Sequence, residues 1–165
     1  LDEGKKAWME DPNWQGTRKA VEAILAATDH LEVYFAVNIV FEALVGELFR
    51  SGFILRGGPA HNDFVTPSII SAAESDYRRN LANTITLMAM LTHDSEYGDA
   101  NKKVMDGWLE KYVPLCLDAA AQLKTLWDEQ SATNLEFGSA FDEAKGRFGD
   151  ILAELEVGLP KRMSL

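Results

Sequence analysis

The stretch "ATDHLEVYFAVNIVFEALVGELFR", Ala27 to Arg50, decides how the rest of the chain is read. Glu32, Glu42 and Glu47 stand in it among Val, Phe, Ile and Leu. The apolar residues are too evenly spread for a one-sided surface helix, so this segment is expected inside a bundle with neighbours on several sides. A carboxylate in such surroundings is costly unless it is paired, hydrogen-bonded or bound to metal. The run Leu31–Phe49 approaches membrane-span length, but three Glu side chains within it would each cost a few kcal/mol in hydrocarbon. It reads as a core helix.

The bulk numbers agree with an ordered helical protein. The chain has 165 residues, enough for one domain with a sizeable core, and 47% of them are hydrophobic. The formal net charge of −10 argues against nucleic acid and anionic membrane as partners, because both require a basic footprint. The single cysteine, Cys116, rules out a disulfide within the chain and reads as a small buried hydrophobe in a reducing cytoplasm. The opening LDEGKKAW has neither an initiator Met nor an apolar signal-peptide core, so residue 1 is expected to be a processed end or a fragment boundary.

Outward from the central stretch, residues 1–16 read as a packed arm or short lead-in helix. A first long helix is expected over Thr17–Arg50. "SGFILRGGPAHNDFV" reads as a loop, marked by Gly57, Gly58 and Pro59. A second helix is expected to open at "TPS", with Thr66 as N-cap and Pro67 at the first helical position. Its apolar line is Ile70, Ala73, Tyr77, Leu81, Ile85 and Met88. After the turn "THDSEYGD", Asp99 is expected to cap a third helix over about 100–130. Its line is Met105, Trp108, Leu109, Tyr112, Leu115, Ala119, Leu123 and Leu126, and Pro114 predicts a kink within it. Thr133 and Glu136 have capping-box spacing for a last helix that "VGLP", Val157–Pro160, brings to a stop. The class is all-α, one domain over 1–165: a lead-in arm (1–16), bundle helices (17–130), and a C-terminal helix and tail (131–165). There are about four main helices.

A di-iron helical bundle takes a Glu from each of two helices and Glu-x-x-His from each of the other two. Three residues before His30, His61 and His93 stand Ala27, Gly58 and Met90; four before stand Ala26, Gly57 and Ala89. Neither Glu-x-x-His nor a two-His zinc helix is present. The nearest remnant is "AESDYRR", where Glu74 and Tyr77 share a helix face. Two readings stand: a lost metal site, or a buried Glu satisfied by a Tyr hydroxyl, an Arg such as Arg78, or a backbone donor. "RGGPAHND" has a Gly pair, but no strand precedes it and no Walker lysine follows. Cys116 has no sequence-evident partner for nucleophilic chemistry. Trp108 and Trp127 read as core or interface anchors.

"ATDHLEVYFAVNIVFEALVGELFRSGF", "NDFVTPSIISAAESDY" and "NKKVMDGWLEKYVPLCLDAA" resemble the small (beta) subunit of the hydroxylase in bacterial multicomponent di-iron monooxygenases. The resemblance covers roughly residues 17–130. That group acts on toluene, phenol, methane and propane, and the propane type is the most similar. The resemblance implies a partial ferritin-like bundle, the C-terminal portion of a longer subunit. It implies a noncatalytic role beside a large (alpha) subunit that holds the di-iron centre. No cofactor, metal ion or catalytic residue is then expected in this chain, and Glu32, Glu74 and Tyr77 are ligand-like positions that have lost their function. Further partners implied are a small third subunit, an NADH-fed reductase and a coupling protein, all in the bacterial cytoplasm. The competing readings are a self-sufficient ferritin-like metal protein and a helical adaptor without an enzyme partner.

Overall fold

The computed structural model describes residues 2–128, 136–160 and 163. Every regular element among them is helical. Helix α1 spans Asp2–Glu10 and α2 spans Pro12–Leu25. α3 opens as an α-helix over His30–Tyr34 and continues in π winding over Phe35–Gly46 and Leu48–Leu55. A 3-10 turn at Gly58–His61 leads to α4 (Val65–Thr92), followed by α5 (Gly98–Asp128) and α6 (Phe137–Glu154). None of these helices is long and apolar enough to cross a membrane.

The first long helix expected from the sequence is two helices. α2 starts at Pro12, where Asp11 caps the first turn by accepting from the Asn13 amide at 2.9 Å, and it ends at Leu25. The chain restarts because the Asp29 carboxylate accepts from the Leu31 amide at 2.8 Å, satisfying a donor that the new helix leaves open. The expected loop also shrinks. Residues 51–57 remain helical, and only Asn62, at φ 60°, and its neighbours make the turn. Capping shifts in the same way at two further starts. Asp63 rather than Thr66 opens α4, accepting from the Val65 and Thr66 amides at 3.0 and 2.9 Å. Asp94 rather than Asp99 precedes α5, accepting from Glu96 and Tyr97 at 2.9 and 2.7 Å. α5 runs helically through Pro114. Thr133 of the expected capping box lies outside the described residues. α6 stops before "VGLP" as expected, and Glu156, at φ 54°, makes the turn.

α3 is the axis of the molecule. Phe35, Ala36, Ile39, Val40 and Leu44 are fully buried beneath α4, α5 and α6. The chain itself therefore supplies the neighbours on several sides that this segment's all-round apolarity calls for. α2 lies along α5 in close approach at Gly16, where a Cβ would fall 2.8 Å from the Ala119 Cα. The Gly16 amide donates to Gln122 Oε1 at 2.6 Å across that seam. A ladder of six rings, Trp14, Phe49, Phe53, Trp127, Phe137 and Phe141, ties α2, α3, α5 and α6 together at centroid spacings of 5.4–5.7 Å.

Candidate functional site: a carboxylate cluster around Arg50

π winding is rare and marks places where helix geometry is set by something other than regular hydrogen bonding. Here it contains two core-side charges, Glu42 and Arg50, with Glu47 at the α-wound residue between its two stretches. Glu42 and Arg50 are eight residues apart, about 12 Å along an ordinary α-helix axis. The wider, shorter-rising π coil brings them together, and Arg50 Nη1 donates to Glu42 Oε2. Gly46 lies between them. A Cβ there would fall 2.8 Å from Arg50 Nη1 and 2.9 Å from the Glu42 carboxyl carbon, so this ion pair occupies the space of the missing side chain.

The second carboxylate comes from α4. Arg50 Nε donates to Glu74 Oε2 at 3.4 Å, and Arg78 Nε stands 3.7 Å from Glu74 Oε1 at the rim. The Glu74 side chain is 12% exposed, so the acid marked in the sequence is mostly covered. Its partners are arginines, Arg50 and then Arg78, rather than the Tyr77 hydroxyl. Tyr77 contributes its ring: the guanidinium carbon of Arg50 sits 4.4 Å from the ring centroid. Burial, then the negative charge of Glu47, pushes the Tyr77 phenol well above its usual range, so it stays protonated. Burial opposes the charge on Arg50 itself, but the hydrogen bonds and charges of Glu42 and then Glu74 together outweigh it and hold the guanidinium pKa above its ordinary value. Glu47 is engaged on the other side by Arg147 of α6.

Glu32 lies elsewhere. Its Oε1 accepts from the Tyr112 hydroxyl and the Lys111 ammonium of α5, both at 2.8 Å. The Lys111 bond is the main cause of a Glu32 carboxyl pKa below the usual range, opposed by burial and assisted by Tyr112. Cys116 is fully buried in α5, and burial alone raises its thiol to about 12, which keeps it protonated and unreactive.

Sequence reasoning thus found Glu74 and Tyr77, which the fold brings together, and Glu32, which it places in a separate pair with α5. It missed Arg50, Gly46 and Lys111. Glu42, Gly46 and Arg50 recur at steps of four, and an acid and a base flanking a glycine on one helix face were the available signal. The cluster does not fit a metal ion as it stands. The position between Glu42 and Glu74 holds a guanidinium, no histidine hydrogen-bonds into it, and the described residues contain no group of three or more His, Cys, Asp or Glu side chains arranged to hold one.

Residues 1–95 match the model of the Methane/Phenol/Alkene Hydroxylase family. The chain is 41% identical, over 96% of its length, to the propane 2-monooxygenase hydroxylase component small subunit of Rhodococcus jostii, and covers 43% of that protein. It is 40% identical over 97% of its length to the protein of the same description from Mycolicibacterium smegmatis, covering 44% of it. It is 30% identical over 72% of its length to the toluene-4-monooxygenase hydroxylase component subunit beta of Ectopseudomonas mendocina, covering 34% of it. The chain spans less than half the length of the curated relatives it matches.

Proposed function

The chain belongs to the Methane/Phenol/Alkene Hydroxylase family, and from that premise we propose that it is a structural, noncatalytic part of a hydroxylase small subunit. The complex would insert one atom of dioxygen into a C–H bond of a small hydrocarbon, propane-like or aromatic, with electrons drawn from NADH through a separate reductase. The di-iron chemistry would belong to a large partner subunit, in the bacterial cytoplasm. A third subunit and a coupling protein belong to the same reading.

The observation that carries the noncatalytic part is the placement of Arg50. A guanidinium held by Glu42 and Glu74 occupies the position between those carboxylates that a metal would need, and a protonated, buried Tyr77 is no ready ligand. A second observation supports a subunit partner. Val65, Ile69, Leu87 and Met90 of α4 are exposed. Ile69 and Leu87 are 18 residues apart, about five α-helical turns, so the four share one outer face. Exposed apolar positions gathered on one face suit a protein interface.

Co-expression tests the proposal. The full-length small subunit is expected to co-purify with a large subunit bearing two Glu-x-x-His motifs, and to carry well under about 0.1 metal ion per chain once separated from it. Hydroxylase activity from this subunit alone, or one or two irons per chain surviving dialysis, would overturn it.

A further inference from the structure

We propose that Arg50 is the resident cation of the cluster, and that it excludes a divalent metal ion from the position between Glu42 and Glu74. The guanidinium bridges carboxylates from two elements, Glu42 on α3 and Glu74 on α4, as a bridging metal ion would. Its seat is built for it. Gly46 leaves the notch in which the pair lies, and the Tyr77 ring closes one side at 4.4 Å. Arg50 Nη2 is buried with no hydrogen-bond partner. A guanidinium carries five donors, and at this site its hydrogen-bonding capacity is not fully matched. The site therefore uses Arg50 for its charge as well as its donors. Two mostly buried carboxylates across an interhelical gap repel unless a cation stands between them. With Arg50 in place a metal ion must displace a tethered cation to gain those two oxygen ligands. With Arg50 removed, the same carboxylates face an empty notch whose oxygen chemistry suits a hard ion such as Mn2+. This inference concerns the chain's own residues and stands or falls independently of which complex the chain joins.

Mn2+ binding to the full-length protein, with its iron-loaded large subunit where the two co-purify, tests it, with free Mn2+ counted by electron paramagnetic resonance. The wild-type protein and Glu74→Gln are expected to bind the same small amount, that of the acidic surface. Arg50→Ala is expected to gain one Mn2+ per chain, about tenfold or more tighter than that background. Arg50→Ala combined with Glu74→Gln is expected to lose it. A wild-type site that Glu74→Gln abolishes would overturn the proposal, since Arg50 would then not exclude metal. So would a folded Arg50→Ala protein that gains no site. If Arg50→Ala is recovered only as aggregate, the same comparison is read as soluble yield. Mn2+ during refolding is expected to raise the yield of Arg50→Ala and not that of the double variant; no rise overturns the proposal.

Discussion

Glu32 and Glu74 are two answers to one problem. Each is an acid set on the inward side of a helix, and each is mostly covered. Glu32 is held from one neighbouring helix, by a phenol and an ammonium adjacent in sequence, and Lys111 is half exposed to water. Glu74 is held by a guanidinium that is itself mostly buried, shared with a second carboxylate, and seated on a glycine in π-wound backbone. The difference teaches where stability is concentrated. A rim pair can lose a partner to solvent at small cost, because water replaces it. In the Arg50 cluster water reaches less of the pair, and removing Arg50 leaves Glu42 with no cation and Glu74 with only Arg78 at the rim.

The largest effect is therefore expected at Arg50. Arg50→Met keeps much of the volume and removes the charge, leaving Glu42 and Glu74 to repel. A loss of about 2–3 kcal/mol is expected in urea unfolding, below the full figure for a buried pair because the side chain retains some exposure. Glu74→Ala should cost about 2 kcal/mol and Glu74→Gln about 1, since the amide keeps the volume and can still accept from Arg50. Equal losses for the two would mean that Glu74 acts by its charge alone, with its volume and the bond an amide could keep contributing nothing.

Gly46→Ala sharpens the comparison by sign. In an ordinary helix interior, alanine is favoured over glycine by about 1 kcal/mol. Here the new methyl would overlap the Glu42–Arg50 pair, and a net loss of about 1 kcal/mol is expected. A gain in stability would show that the pair moves aside without cost.

The smallest effect is expected at Glu32. Its carboxyl pKa lies below the usual range, chiefly through Lys111, so its contribution is present above the unfolded-state pKa, near 4.5. It is lost as pH falls through the lower, folded-state value. Lys111→Met should remove less than about 1 kcal/mol at neutral pH and flatten the acid limb of the stability profile. A change as large as that of Arg50→Met would erase the contrast between rim and core.

Much of this fold was legible because apolar spacing follows burial. The lines Tyr77–Met88 on α4 and Met105–Leu123 on α5 are the faces the structure covers, and "VGLP" ends the last helix. The break at Asp29 was masked by the apolar residues on both sides of "ATD", although Asp29 and Glu32 have capping-box spacing. The π winding was not legible. A segment apolar all round has no periodicity for a change of pitch to disturb. Arg50 was missed for a related reason. Sequence spacing reveals partners on the same helix, such as Arg78 four residues from Glu74, but an arginine from another element becomes a neighbour only once the chain has folded.

The pairing of Arg50 with Glu74 across α3 and α4 is the claim on which the rest depends, and a double-mutant cycle tests it most directly. Unfolding free energies of the wild-type chain, Arg50→Met, Glu74→Gln and the double variant are compared at pH 7. The account predicts that the double variant is less damaged than the sum of the two single changes, with a coupling of about 1–2 kcal/mol, because removing the second charge relieves the first. Additive losses, with a coupling within about 0.3 kcal/mol of zero, would contradict it.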